Sequence, residues 1–465
     1  MAHDAADAFV FFGATGDLAY RQIFPALQAL IRRGLLEMPI IGVARSATAI
    51  DALRSRARES LEMHGAVDPR TCATLSSRLQ YVNGDYREPE TFLRLRRALE
   101  GASRPLYYLA IPPDMFTTVA QGRAAARCHQ GARVVVEKPF GRDLASAQAL
   151  NRALHECFPE SAIFRIDHFL GKEPVQNLLY FRFAHSFLEP IWNRQYIQSV
   201  LVTMAEAFGV HGRARFYEEV GAIRDVVQNH LLPVVALLTM DAPIGHHVDA
   251  LRDQKHCAFG AMRPLAAGDV VRGQFRGYRA EEGVAADSTV ETFAAMRLYI
   301  DSWRWAGVPF YIRTGKELPL TATEVRVTLK RPPQDVFDPV SLGETDHVRL
   351  SPDVSISLGA RVKVPGESMV GEHVELVVRH ASGDEMTPYE RLLGDAIRGD
   401  AMLFVRQDSV AAAWHVVDPV LGDATPVHEY DPGTWGPTET DGIIAADGPW
   451  HNPDLSSPTT LAPSA

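Results

Sequence analysis

The chain is poor in the features that mark secreted, metal-binding or membrane-spanning proteins. Its 465 residues include only four cysteines, Cys72, Cys128, Cys157 and Cys257. Their spacing offers no CxxC pair and no zinc pattern, which reads as free thiols in a reducing cytosol and no metal site. The longest apolar run, LLPVVALLTM over 231–240, falls far short of the roughly 20 residues that cross a bilayer. The opening MAHDAADAF is acidic and lacks the basic-then-apolar order of a signal peptide. The net charge of −10 is spread through mixed acids and bases, leaving no basic tail for nucleic acid and no cationic helix for a membrane surface. These gaps predict a soluble cytoplasmic protein with neither nucleic-acid nor membrane partners. An anionic substrate would need a local basic pocket.

Hydrophobic residues make up 46% of the chain, enough for a large core, and the length implies two or more domains. Through the first third, short β-rich runs alternate with helical patterns. The runs are AFVFF (8–12), IIGVA (40–44), LQYVNG (79–84), LYYLAI (106–111), RVVVE (133–137) and IFRID (163–167). Ile23, Leu27, Leu30 and Ile31 mark one helical stripe with Gly34 as its stop, and Thr48 with Asp51 resembles a capping box. This alternation predicts an α/β domain over 1–166, a parallel sheet with helices on both faces. Beyond it, β-rich stretches follow one another: YIQSVLVTMAEAF (196–208), STVETFAAMRLYI (288–300), EVRVTLK (324–330), VSISLGARVKV (354–364) and HVELVVR (373–379). They predict a larger α+β domain over 167–455 with a broad, mainly antiparallel sheet. The end, 456–465, reads as a disordered tail.

Between the first strand and first helix lies GATGDL: Gly13, Ala14, Thr15, Gly16, Asp17 and Leu18. Glycines there let backbone amides approach a pyrophosphate, and the helix N-terminus supplies partial positive charge. A plain tight turn would carry the same glycines. The second strand ends GVARS, placing Arg45 where NAD enzymes usually hold an acidic residue for the ribose hydroxyls. A guanidinium suits a 2′-phosphate, which favours NADP; arginine does not forbid NAD, so dual use stays open.

Lys138 lies just past the apolar run RVVV in EKPFG, where an open parallel sheet places its ligands. RIDHFLGKE (165–173) packs Asp167, His168 and Lys172 into nine residues. If a helix starts there, His168 and Lys172 share a face, a ready site for a phosphate. Asp167 could orient a second histidine as a carboxylate does in a catalytic triad. GAIRDVVQNHLLPVVALLTM (221–240) offers one, since Asp225, Asn229 and His230 are polar residues entering an apolar helix. Burial of such groups costs free energy unless they are hydrogen-bonded or used. A satisfied core histidine is the alternative.

These motifs form an ordered set. GATGDL, GVARS, EKPFGRDLASAQALN, RIDHFLGKEPVQNLL, GAIRDVVQNHLL, YIDSWRWAGVPFYIRTGKELP, TPYERLLGDAIRGDAMLFVRQD and GTWGP run from residue 9 to about 452 and closely resemble the glucose-6-phosphate dehydrogenase family. The resemblance implies a Rossmann-like domain followed by the larger α+β domain. It implies oxidation of glucose 6-phosphate at carbon 1 to the 6-phosphogluconolactone, the first step of the oxidative pentose phosphate pathway, with NADP or NAD as hydride acceptor. By position in the family motifs, His230 is the general base and Asp167 orients it. His168 and Lys172 hold the phosphate; Glu206, Asp225 and Lys316 bind the sugar; Lys138 lies between sugar and cofactor. Asp85 and Tyr86 join the cofactor-binding set. A homodimer or homotetramer is implied, since family members usually pair through the large sheet.

Three positions depart from the family pattern. The basic run after GDLA is Tyr20-Arg21-Gln22, the usual tyrosine after the histidine is Phe169, and the basic residue five after the GK lysine is Thr321. A lost phenol–phosphate hydrogen bond is worth roughly 1 kcal/mol, so the expectation is altered substrate binding with the His230–Asp167 chemistry retained. Two rivals are weighed. A sugar dehydrogenase of the Gfo/Idh/MocA type shares the EKP motif but not RIDHFLGKE or QNHLL. A non-catalytic NADP-binding subunit would have lost Asp167 or His230.

Overall fold

Six runs rich in β-branched and aromatic residues build the first sheet, four of them buried along their whole length. They are β1 (Ala8–Phe12), β2 (Ile40–Ala44), β3 (Leu79–Asn83), β4 (Pro105–Leu109), β5 (Arg133–Glu137) and β6 (Ile163–Ile166). The computed structural model describes residues 5–45, 50–64, 67–112, 115–126, 128, 131–245, 247–334, 336, 347–351, 355–367, 369–379 and 385–454. Thr48 and the 456–465 tail lie outside the described residues. The strands are ordered β3-β2-β1-β4-β5-β6 and every pairing is parallel. This is the doubly wound Rossmann order, whose strand sequence reverses between β1 and β4.

The chain divides into two units. The first comprises the segment up to Lys172 together with Pro243–Asp253 and Asp384–Ala411. The last of these supplies a helix, Pro388–Arg398, opened by a Thr387–Glu390 capping box and closed by Gly399 at φ 80. Leu392, Leu393, Ala396 and Ile397 on that helix are buried in one cluster with Phe9, Phe11, Phe24, Leu27 and Leu30. Arg33 and Glu390 pair at 2.5 Å beside it.

The second unit comprises Glu173–Ala242, Gln254–Gly383 and the chain from Ala412 on. Its sheet contains β7 (Ile197–Ala205), β8 (Val270–Phe275), β9 (Phe293–Leu298), β10 (Phe310–Gly315), β11 (Ala322–Leu329), β12 (His347–Ser351), β13 (Ser355–Lys363), β14 (Gly371–Arg379) and β15 (Val427–Tyr430). The order is β14-β13-β12-β11-β7-β10-β9-β8-β15. Pairing is antiparallel except for β10 with β7 and β15 with β8, the mainly antiparallel sheet that the strand-rich sequence implied.

Two helical segments are wound wider than α. Residues Ala19–Ile23 and Ile223–Leu231 form π-helix, and each runs into an α-helix, Phe24–Arg32 or Leu232–Thr239, whose second residue is proline. A proline has no N–H to donate, so the ladder is interrupted where the pitch changes. In the first segment the i→i+5 pattern would draw the missing donor to the Tyr20 carbonyl, and the fully buried Ser60 hydroxyl donates to that carbonyl instead.

Candidate active site

In the first unit, Gly13 leaves β1 with φ 81, and a Cβ there would meet the Ala110 carbonyl oxygen at 2.1 Å. Only glycine passes this point, which lets the loop run directly against the backbone at the end of β4. The Gly13 N–H donates to the Val43 carbonyl at 3.0 Å and to the Tyr86 hydroxyl at 3.0 Å. Tyr86 in turn donates to Val43 at 3.1 Å, and its ring is buried, so its hydroxyl is engaged in holding the loop. Ala14 is buried, Thr15 and Leu18 are half-buried, and Gly16 and Asp17 face solvent. Arg45 is two-thirds exposed and lies 4.0 Å from the Asp85 carboxylate. The predicted cofactor residues thus gather at the C-terminal ends of β1, β2 and β3.

Tyr20, the first departure, faces the helix Ile50–His64. Its ring lies 4.8 Å from the Arg56 guanidinium and 5.5 Å from the His64 ring, while Arg21 and Gln22 are exposed. Braced this way, Arg56 reaches the loop, with Nη2 3.4 Å from the Gly16 carbonyl and 3.8 Å from the Asp17 carboxylate. It is a second cation, after Arg45, beside the Gly13 loop.

A second cluster sits at the ends of β5 and β6. Lys138 precedes Pro139 through a cis peptide bond. Glu137 accepts hydrogen bonds from the hydroxyls of Tyr108 and Tyr389. Burial pushes its carboxyl up to about 7, against the tyrosine hydrogen bonds and the Lys138 charge. Asp167 is buried and accepts the Phe169 N–H at 3.0 Å. The His168 ring stacks on Tyr389 at 6.2 Å with 10° between planes. Phe169, the second departure, is buried and carries the Lys172 ammonium 4.6 Å above its ring. Without the hydroxyl, the ring still positions Lys172 by a cation–π contact.

The second unit holds the remaining residues. Lys316 and Glu206 pair at 2.5 Å, with the ammonium 4.9 Å from the Phe208 ring and 5.4 Å from Tyr217. Tyr217 is buried, and its hydroxyl is pushed well up by burial and then by Asp225 and Glu206. The next residue, Glu317, has φ 53, rare for a side chain of this kind and a mark of local strain beside Lys316. Thr321, the third departure, accepts the Ala207 N–H at 3.0 Å and so anchors the backbone next to Glu206.

Asp225 and His230 sit on the π segment. In an α-helix Asp225 and Asn229 would be one turn apart, as the sequence pattern implied; the i→i+5 winding brings His230 round to the Asp225 side as well. Asn229 turns inward to its own helix, donating to the Arg224 carbonyl at 2.9 Å. His230 is only 4% exposed and Asp167 only 2%. No group of three or more potential metal ligands is found among the described residues.

Nothing local in the sequence singles out Arg56, Tyr108, Tyr389 or Tyr217, and Glu137 carries a single hint. The glutamate immediately before Lys138 at a strand end was the one available signal.

Comparison with known proteins places these motifs. The profile described as glucose-6-phosphate dehydrogenase, NAD binding domain, matches residues 10–177, and that of the C-terminal domain matches 179–451. Glucose-6-phosphate 1-dehydrogenase 1 of Mycobacterium tuberculosis is 43% identical over 97% of both chains. The crystal structure of glucose-6-phosphate 1-dehydrogenase from Mycobacterium avium is 43% identical, with 97% of this chain and all of that one covered at a TM-score of 0.92. A glucose-6-phosphate dehydrogenase solved in complex with its substrate glucose-6-phosphate is 34% identical, with 97% and 100% covered at a TM-score of 0.91. The chain therefore carries a dinucleotide-binding domain, and it belongs to the glucose-6-phosphate dehydrogenase family.

Proposed function

We propose that this protein is a glucose-6-phosphate 1-dehydrogenase, oxidising carbon 1 of glucose 6-phosphate to the lactone with NADP, and with NAD as an alternative acceptor. The observation that carries the reading is the burial of Asp167 and His230 inside the two most family-specific motifs. Groups of that polarity are retained in an apolar setting when chemistry uses them. The loop at Gly13 fits the dinucleotide: it turns tightly between β1 and the first helix at the C-terminal end of the parallel sheet, and Arg45 and Arg56 add positive charge beside it. When bound, the dinucleotide supplies the hydride acceptor.

His230 is the base that takes the proton from the carbon-1 hydroxyl, and imidazole suits that task at neutral pH. Asp167 orients His230 and stabilises it once protonated. His168 and Lys172 hold the sugar phosphate, and the Tyr389 and Phe169 rings support them from below. Glu206, Asp225 and Lys316 bind sugar hydroxyls, and Lys138 lies between sugar and cofactor. Arg45 holds the 2′-phosphate. The test is reduction of NADP and NAD, read by the near-ultraviolet absorbance of reduced nicotinamide, with glucose 6-phosphate, free glucose and other sugar phosphates. Absence of reduction with glucose 6-phosphate overturns the reading.

A second copy of the chain is the occupant proposed for one face of the large sheet. Leu358 and Leu376 stand opposite each other in the β13–β14 register, 39% and 60% exposed, and Val362 continues the row at 44%. An apolar row of this kind on a solvent-facing sheet marks an interaction surface, and a homo-oligomer in the cytoplasm completes the proposal.

A further inference from the structure

The π winding of Ile223–Leu231 is a choice between two registers. Closing the ladder at four residues would give an ordinary α-helix, and each residue of slip turns everything beyond it by about 100°. His230 and Asp225 share a face in the wide register only. Both ends of the helical run are held by buried groups from elsewhere in the same unit.

At the N-terminal end, Gly221 breaks the preceding helix at φ 66. A Cβ there would lie 2.5 Å from Glu291 Oε1, so the chain passes directly over that carboxylate. The Ala222 N–H donates to the Glu291 carbonyl at 2.9 Å and the Ile223 N–H to Glu291 Oε1 at 3.1 Å. Glu291 is only 4% exposed, and Arg272 holds its other oxygen at 3.3 Å. An anionic acceptor here satisfies orphan N–H groups and complements the helix dipole.

At the C-terminal end the last four carbonyls, usually left to solvent, are all taken by buried donors. Arg182 donates to Leu237 at 2.8 Å and Met240 at 2.9 Å, Trp192 Nε1–H to Leu238 at 2.8 Å, and Trp305 Nε1–H to Thr239 at 2.8 Å. Arg182 is 1% exposed, and its Nη2 lies 3.5 Å from Glu189. Arg304 joins Glu189 at 2.8 Å to Asp241 at 2.7 Å just beyond the helix end.

We propose that Glu291 and Arg182, with the indole N–H groups of Trp192 and Trp305, are positioning residues that clamp this run at both ends and thereby enforce the π register that presents His230 and Asp225 together. With the two ends fixed, the number of residues between them must be taken up by one winding, and the wide turn takes it up. The inference rests on the reading of His230 as the base.

The experiment compares Glu291→Ala, Glu291→Gln and Trp305→Phe with the unaltered enzyme, reading kcat, KM for each substrate, the thermal midpoint and amide hydrogen exchange of the 223–231 peptide. Glu291→Ala should lower kcat about tenfold and raise KM for the sugar phosphate, while KM for the dinucleotide, held by the first unit, stays put. Glu291→Gln keeps an acceptor for Ile223 and should recover most of kcat. Trp305→Phe keeps the ring and loses one donor, and serves if Glu291→Ala does not fold; kcat should fall several-fold with faster exchange at 223–231. A folded Glu291→Ala enzyme with unaltered kcat and exchange overturns the clamp, as does a Trp305→Phe enzyme with neither change. If His230→Asn keeps its turnover the base assignment fails instead, and exchange at 223–231 in the clamp variants still decides the register.

Discussion

Glu137 makes a quantitative test of the first unit. Its carboxyl rises from 4.5 to about 7 because it is buried at the end of β5, with the Tyr108 and Tyr389 hydroxyls only partly offsetting that burial. The folded state therefore favours the protonated acid. The associated stability is fully present below the unfolded value near 4.5 and is lost as pH rises through about 7. A shift from 4.5 to about 7 corresponds to on the order of 3 kcal/mol. The carboxyl is half-buried, so screening trims this to about 2 kcal/mol. Glu137→Gln keeps the shape and a hydrogen-bonding amide but has no proton to lose. Amide hydrogen exchange in β4 and β5 of both proteins, followed from below pH 4.5 to above pH 7, reads the opening free energy of this sheet. The advantage of the unaltered protein over the variant should shrink by about 2 kcal/mol across that window. Parallel curves for the two proteins would show that Glu137 titrates as an ordinary surface acid and would refute the argument.

Replacement His230→Asn should lower kcat by orders of magnitude with little change in sugar-phosphate affinity, measured by steady-state kinetics and equilibrium binding; near-normal turnover removes His230 as the base. Arg45→Ala should raise KM for NADP far more than KM for NAD, and equal effects on both would argue against a 2′-phosphate contact. Leu376→Asp, which places a charge on the apolar row of β13 and β14, should reduce the assembly to a smaller species by light scattering coupled to gel filtration, and an unchanged mass would move the interface elsewhere.

The six strands of the first sheet were legible as short β-rich runs, four of them buried along their whole length and β3 and β5 in part. The second sheet was harder. β8 and β10 escape a hydrophobic pattern because Arg272, Gln274, Arg313 and Thr314 are buried within them. Their charges are satisfied at a distance, Arg272 by Glu291 and the Thr425 carbonyl, Arg313 by Asn452 and the His451 carbonyl. No local window contains those partners. The helix Pro388–Arg398 carries a clear capping box, yet nothing local says that its apolar face belongs with β1. At the site, the motifs single out Asp167, His168, Lys172 and His230 because polar and charged types are unusual beside apolar runs. The supporting residues were silent. Tyr389 and Glu291 look like ordinary residues until the fold brings His168 and Ile223 to them. The π turn was hidden for a related reason: the proline of LLPV, Pro233, reads as a weak helix start, and only the ladder shows the change of pitch.

The two indoles that cap the helix also make it optically visible. All six tryptophans of the chain, at 192, 303, 305, 414, 435 and 450, fall in the second unit. Trp192 and Trp305 are buried with their N–H groups on the Leu238 and Thr239 carbonyls, whereas Trp303 between them in the fold's numbering is 94% exposed. Emission from this protein is therefore a signal from the second unit alone, with a blue component from the buried Trp192, Trp305 and Trp414 and a red, quencher-accessible one from Trp303. Loosening of the helix end shifts the blue component while the first unit contributes no background, so the enzyme can be watched at this point without any label.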